Sequence, residues 1–351
     1  MKPFFKIILP VTVFLLFSWK APEEKILASG TQPQLSVDNT GIIRLVFGRS
    51  DSIFCATSAD QGNSFSNPVF VGHIAGMHLG MARGPQIASS LHSTIITAMD
   101  KSGDIHGFQL NHANKKWTNK GLINDVKSSA PEGLMSIAAD NHDNFYAVWL
   151  DTRNDKMNNI YFSTFSAEGN TWKKNALVYA SPDSHVCECC KPGIAVKNGN
   201  VAIMFRNWLG GSRDLYVINS ADKGRSFGSA QKLGAGTWKL NGCPMDGGGL
   251  VFDNKNIIHT SWQRQGTIYT CVPGENESIV ATGRNCSISS DTKKDLLLIS
   301  YQEGENTKLV DIKKNTTLLT VKGSYMKSVI LSNGKTLCVW ELNKSIIIRS
   351  I

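Results

Sequence analysis

Ser58-Ala-Asp60-Gln-Gly62-Asn-Ser64-Phe65 and Ser220-Ala-Asp222-Lys-Gly224-Arg-Ser226-Phe227 are two copies of one octapeptide, S-x-D-x-G-x-S-F. Their aspartates lie 162 residues apart (222−60), and a third of that gap is 54. The intermediate positions hold degraded copies: Asn114 in His112-Ala-Asn-Lys-Lys-Trp117, and Glu168 in Ser166-Ala-Glu-Gly-Asn-Thr-Trp172. A period of this size, with strands between the copies, signals a propeller or solenoid made from one repeated supersecondary unit. Within the octapeptide, the Asp can accept from backbone N–H groups of its own turn. The Gly permits positive φ, and the aromatic can pack beneath the sheet.

Seven segments share a short apolar strand, a turn often carrying Asn or Gly, and a second strand rich in aromatic and β-branched residues. The second strands fall near Ile42–Phe47, Thr94–Met99, Phe145–Leu150, Val201–Phe205, Ile257–Trp262, Leu296–Tyr301 and Thr336–Trp340. Alternation and β-branching support strands, and nothing between them has a helical period. The expected fold is all-β, a single propeller of four-stranded blades, seven by this count. Ser345–Ile351 reads as a third strand with no fourth after it, and residues near Glu24–Ala28 could supply the missing one and close the ring.

The chain is long enough for one such domain: 351 residues, 41% of them hydrophobic, can bury a large core without splitting. Met1-Lys-Pro-Phe-Phe-Lys6 precedes an apolar stretch from Ile7 to Phe17 that is shorter than the roughly 20 residues of a membrane span. Basic-then-apolar order is the form of a secretory signal. Residues 1–30 are therefore expected to be a signal peptide, cut near Ala28-Ser-Gly30, or an uncleaved N-terminal anchor that would be the chain's only link to a membrane. Residues 31–351 form the propeller, secreted or periplasmic. The net charge of +9 drops to +7 without residues 1–30, which hold four Lys and two Glu. With no Lys/Arg run and no nucleic-acid module, that charge points to an acidic glycan or another carboxylate as partner, not to nucleic acid.

Arg49, Arg153, Arg206 and Arg264 each fall just after a second strand, where a ring of guanidinium groups would suit bidentate capture of carboxylates. The alternative is that some of them pair with Asp51, Asp151 or other acids at the same end of the blades.

The octapeptide is identified as the Asp box of sialidase-like β-propellers. That resemblance implies six blades, and it implies that the boxes are folding staples on the face opposite the active site. Phe205-Arg206-Asn207 resembles the stretch carrying the family's second substrate-binding Arg, Trp262-Gln-Arg264 has the address of the third, and Arg83-Gly-Pro85-Gln-Ile87 is similar to the family's R-I-P entry. Ser324-Tyr325-Met through Trp340-Glu341 resembles the segment with the tyrosine nucleophile. A phenol suits an anionic sugar acid because it is neutral. The implied activity is an exo-sialidase-like glycosidase acting on a sialic or uronic acid-containing glycan. Tyr325 would be the nucleophile, and Arg83, Arg206, Arg264, Arg153 and Asp246 would hold the substrate.

The departures keep a second class open, a non-hydrolytic binding propeller. Thr31-Gln-Pro33-Gln-Leu35 carries Thr where Arg83 stands in the next blade, and the position sixteen residues before Arg206, where the family's Glu base would fall, is Cys190. Glu132 or Glu188 could substitute as base, and Asp100 or Asp104 could be the acid. Without a base a tyrosine keeps a pKa near ~10 and is a poor nucleophile at neutral pH.

Cys187-Glu-Cys189-Cys190 and Cys243 lie in loops 56 residues apart (243−187), about one blade, so they should be neighbours. In an exported chain disulfides are the default. Adjacent Cys189 and Cys190 cannot easily bridge each other, so one of them should reach Cys243. The others could form a second bridge, or the cluster could hold Cu or Zn with His185 or Met245. No other cofactor is expected. His73, Met77, His78 and Met81 could add metal ligands or simply pack their loop. Cys187–Cys190, Trp238–Gly248 and Met204–Asn207 also resemble a sialidase-like subgroup with C-x-C-C, C-P-M-D-G-G and MFRN-type motifs, to which no reaction is attached.

Overall fold

The structure is a computed structural model describing residues 23–166, 169–291 and 295–351. Those residues form seven sheets and no helix, a seven-bladed β-propeller. Blade 1 runs Thr31–Val37, Ile43–Arg49, Ser52–Ser58 and Val69–His73 from inside to outside. Blades 2 to 6 begin at Gln86, Met135, Gly193, Gly249 and Arg284 and repeat that antiparallel order. In blade 3 the outer edge is split into Thr171–Trp172 and Ala176–Tyr179, both paired with Asn159–Ser166. Blade 7 contains Ser324–Ile330, Thr336–Leu342 and Ser345–Ser350, and its outer strand is Lys25–Ser29 from the other end of the chain. The resemblance implied six blades; there are seven. The closing strand also lies on the N-terminal side of the boundary expected at residue 30, and residues 1–22 of the expected leader lie outside the described residues.

Every expected second strand is a second strand here. Flanked on both faces by neighbouring blades, these strands are largely buried: Ile43, Leu45, Val46 and Phe47 are fully buried, as are Trp149 and Trp340, with Trp262 nearly so. The core is a ring of inter-blade layers. Tyr146, Val148 and Leu150 of blade 3, for example, pack on Val201, Ile203 and Phe205 of blade 4.

The two octapeptides occupy the turn between third and fourth strands of blades 1 and 4. Asp60 accepts from Ser64 N at 3.0 Å and Ser58 Oγ at 2.8 Å, while Gly62 N donates to Ser58 Oγ at 2.9 Å. Asp222 repeats the set with Ser226 and Ser220. The bonds from Ser64, foremost, hold the Asp60 carboxyl down to about 2. Each box aromatic packs on the preceding blade: Phe227 meets Phe162 edge-on with ring centroids 5.3 Å apart, and Phe65 joins the layer with Val339. Asn114 sits in the same turn of blade 2; Glu168 lies outside the described residues.

One backbone device points side chains at the axis. Blades 1, 6 and 7 open with Gly30-Thr-Gln32, Gly283-Arg-Asn285 and Gly323-Ser-Tyr325. The third residue of each has positive φ (54°, 52° and 55°), and the ladder shifts register just after it, between Thr31 and Gln34, Arg284 and Ser287, and Ser324 and Lys327. A bulge re-aims a side chain and strengthens the local twist, and here it turns three polar side chains into one central pocket.

Candidate functional site

That pocket takes lining residues from all seven blades. Gln32, Asn285 and Tyr325 come from the three bulges. Met81 and Ala82 come from the loop entering blade 2, Leu134 from blade 3, Lys191 from blade 4, Asp246 from the loop entering blade 5, and Lys327 from two residues beyond Tyr325. Six lining residues have positive φ without being glycine: Gln32, Met81, Ala82, Met245, Asn285 and Tyr325. Strained backbone of this kind persists where surrounding packing over-determines it, and it gathers at ligand sites. Gln32 is 2% exposed, and its Nε2 has no hydrogen-bond partner among the described residues.

The cations of the pocket are lysines. Burial, helped by the like charge of Lys327, pushes the Lys191 ammonium down to about 7, and its nitrogen donates to Gln86 Oε1 at 3.0 Å. Burial also lowers Lys327, against the pull of Cys286 and Asp246. Asp246 is raised by burial, with the Arg206 charge opposing, and accepts from Asn285 N at 2.7 Å and Gly248 N at 3.3 Å. A Cβ on Gly247 would lie 1.9 Å from the Lys191 carbonyl oxygen, so only glycine lets the Asp246 loop approach blade 4 this closely.

The arginines expected to hold substrate are dispersed. Arg206 lies within its second strand, Asn200–Leu209, and is 1% exposed. Its guanidinium donates to the carbonyls of Asp246 (2.9 Å), Gln263 (2.9 Å) and Arg213 (2.8 Å), clamping blade 4 to blade 5. Arg264 forms a two-pronged pair with Glu277 at 2.8 and 2.5 Å. Arg153 is held by Asp151, Asp125 and Asn175, which is the pairing weighed as the alternative to substrate capture. Arg49 donates to Ser29 O and stacks on Phe54.

The acid–base candidates are dispersed as well. Glu132 and Arg83 engage each other: Arg83 Nε donates to the Glu132 carbonyl at 2.6 Å, and the side chains approach to 3.8 Å. Glu188 pairs with Arg213 at 3.1 Å. Burial pushes Asp100 up, but bonds from His106, Ser102 and Asp104 N outweigh it and keep the carboxylate ionised, the wrong state for an acid. Met77 is buried in the core and His78 Nε2 meets the Pro131 carbonyl, whereas His73 and Met81 are exposed.

Tyr325 does reach the pocket. Its phenol is pushed up by burial first and then by the Glu341 carboxylate, and it faces the Gln32 side chain and the Met81 backbone. Glu341 itself is raised by burial and accepts from Gln32 N at 3.0 Å. Sequence reasoning missed Lys191, Lys327, Gln32 and Glu341 as site residues. The available signals were slight: Lys327 shares Tyr325's face at a spacing of two, and Gln32 and Tyr325 share a Gly-x-x register.

The cysteines converge. Cys189 is bonded to Cys243 in the loop entering blade 5, with Cα atoms 6.1 Å apart. Cys187 and Cys190 are free and buried, their sulfurs 3.4 Å apart, with Cys187 Sγ 3.6 Å from Cys189 Sγ. The sulfurs of Cys187, Cys189 and Cys190 lie within 4.8 Å of one another, a spacing suited to a soft ion. With the bridge to Cys243 formed, however, only two of them are thiols.

No protein-family model matches the chain, and no curated protein matches it. Solved structures do. A protein of unknown function from Dyadobacter fermentans aligns with 93% of this chain and 97% of its own at 12% identity and a TM-score of 0.53. A polysaccharide lyase of family PL25, an ulvan lyase bound to -[GlcA(1-4)Rha3S]-, aligns over 92% and 94% at 10% identity and 0.57. A Hadza microbial sialidase aligns over 92% of this chain and 65% of its own at 12% identity and 0.51. The likeness is one of fold. Chemistry has to be argued from the pocket.

Proposed function

We propose that this propeller is an exported protein that takes the anionic unit of an acidic glycan, a sialic or uronic acid, into its central pocket, with Lys191 and Lys327 as the partners of the sugar carboxylate. The observation that carries this reading is an unbalanced charge. Two lysines line one pocket, each lowered by burial with no ion-pair partner among the described residues, and the buried carboxylate beside Lys327, Asp246, is itself raised, so all three groups lack the partner that would hold their charge. Buried charges are normally paired, so a ligand carboxylate would complete the set. Gln32 Nε2, Asn285 and Tyr325 offer the polar contacts a sugar needs. A neighbour of like fold, the ulvan lyase bound to -[GlcA(1-4)Rha3S]-, supports the reading. Export is supported by the Cys189–Cys243 bridge, a bond of oxidising compartments.

Hydrolysis is the second reading, favoured by one specific observation: the Glu341 carboxylate acts on the phenol of Tyr325, which lines the pocket. Burial raises both Glu341 and Glu132, but only Glu341 acts on the Tyr325 phenol, whereas Glu132 is engaged by Arg83. Titration calorimetry with glucuronate- and N-acetylneuraminate-terminated oligosaccharides tests the first reading. Binding is expected to fall roughly 10–100-fold in Lys191→Met, the cost of one charged hydrogen bond. Equal affinity for neutral sugars, or an unaffected Lys191→Met, would refute it. Turnover of a fluorogenic sialoside that is lost in Tyr325→Phe would establish the second.

A further inference from the structure

Cys187, Cys189 and Cys190 put three sulfurs side by side on a loop that also walls the pocket, and one of the three is already oxidised. Cys187 is fully buried and Cys190 1% exposed, whereas Cys243, at the far end of the bridge, is exposed. Cys187 Sγ lies 3.6 Å from Cys189 Sγ, close to the separation at which sulfur attacks sulfur. Arg213 Nη1 donates to Cys187 Sγ at 3.0 Å and stacks on Trp208, which fixes a cation against the attacking atom.

We propose that Cys187, Cys190 and the Cys189–Cys243 bridge form a thiol–disulfide exchange centre, in which Cys187 attacks Cys189 and releases Cys243 from the pocket wall. Cys187 gives its proton to solvent, and its sulfur lone pair makes a new S–S bond to Cys189. The bond between Cys189 and Cys243 breaks, and its electron pair leaves on Cys243 as a thiolate that solvent protonates. Cys190, 3.4 Å from Cys187, can then repeat the step on Cys187, leaving a Cys187–Cys190 bridge and releasing Cys189. One disulfide exists before and after each step, so neither oxidant nor reductant is consumed.

The electrostatics agree with the geometry. The hydrogen bond from Cys190, foremost, with Arg213 and Arg206, holds the Cys187 thiol down to about 6 against its burial. The order of the two follows from the contacts: Cys187, held by Arg213, lies 3.6 Å from Cys189, against 4.0 Å for Cys190, so Cys187 attacks and Cys190 follows. Releasing Cys243 untethers the segment carrying Met245 and Asp246, both of which line the pocket. The exchange does not depend on what the pocket binds.

The test uses the whole chain, purified without reductant, and a polyethylene-glycol maleimide too large to enter the buried cluster. Cys243 held in a static bridge cannot be tagged. The wild type is expected to acquire one tag, mapped to Cys243, with Cys187 recovered in a bridge to Cys189 or Cys190. Cys187→Ser, with its fold checked by circular dichroism, should tag roughly tenfold more slowly or less. An untagged wild type, or tagging of Cys187→Ser at the wild-type rate, would overturn the proposal. Should Cys187→Ser fail to fold, acid-quenched peptide mapping of the tagged wild type decides: finding Cys187 free in every molecule whose Cys243 is tagged sinks it.

Discussion

Arg206 donates to the main-chain carbonyl of Asp246 at 2.9 Å, so the residue whose motif most resembles a substrate-binding arginine instead fixes the backbone of the loop that walls the pocket. Its other bonds reach Gln263 and Arg213, all of them to carbonyls in a site closed to water. Arg206→Ala would orphan these acceptors and leave a void, and the expected loss is about 3–5 kcal/mol of folding stability. Arg206→Lys should not restore it, because one ammonium cannot span three carbonyl directions. Denaturant unfolding of both variants provides the check; near-native stability with only weakened ligand binding would return Arg206 to the substrate.

Lys191 gives the pocket a pH dependence. Its folded pKa, about 7, lies below the unfolded value of ~10.4. Between those values the unfolded chain holds a proton that the native chain lacks, so this group makes stability rise with pH through that window. A bound carboxylate favours the ammonium and reverses the demand. Binding of an acidic sugar should therefore take up a proton near neutral pH and weaken as pH climbs above about 7. Calorimetry in two buffers of different ionisation enthalpy measures that uptake directly, and Lys191→Met should abolish it.

Gly224 lies in the second octapeptide with φ of 77°, and a Cβ there would stand 2.6 Å from the Phe162 ring. Left-handed backbone and a steric clash act together in Gly224→Ala, for an expected cost of about 2–4 kcal/mol. The box is distant from the mouth, so ligand affinity at a temperature where the variant is folded should not move. A parallel loss of affinity would show that the two faces are coupled.

How far the sequence could be read follows from how local each signal is. The octapeptide and the seven second strands are contiguous patterns, each enforced by burial on both faces, and they locate the fold down to the strand supplied by residues 25–29. A bridge to Cys243 from Cys189 or Cys190 was legible because blade spacing made the two loops neighbours; which of the two reaches it was not, and it is Cys189. The arginines were not: whether a guanidinium points at a ligand or at another partner depends on the residues facing it, from its own blade as Glu277 does for Arg264 or from the next as Glu132 does for Arg83. Lys191 and Lys327 were overlooked for the same reason. A lysine in a loop or strand, as Lys191 and Lys327 are, reads as solvated until the ring closes around it.

Closure of that ring yields the last prediction. Lys25–Ser29 pairs with Ser345–Ser350, Gly30 N donates to Lys344 O at 2.8 Å, Glu24 approaches Arg349 at 3.5 Å, and Leu27 and Ala28 pack against the layer of Leu45, Phe47 and Ile346. A chain beginning at residue 23 keeps all of this. One beginning at residue 31, as a cut near Ala28-Ser-Gly30 would give, loses the outer strand of blade 7 and exposes the Ser345–Ser350 edge, a template for pairing with other chains. The shorter form is expected to melt several degrees lower, since one kcal/mol is worth about 2–4 °C or less in a domain of this size, and to aggregate at lower concentration. Thermal melts and light scattering of the two forms side by side are the measurement. If the protein is exported with its leader removed, the mature N-terminus found by mass spectrometry should lie before Lys25. A mature chain starting at residue 29 or later, with a melting temperature matching the longer form, would show that the ring closes without this strand.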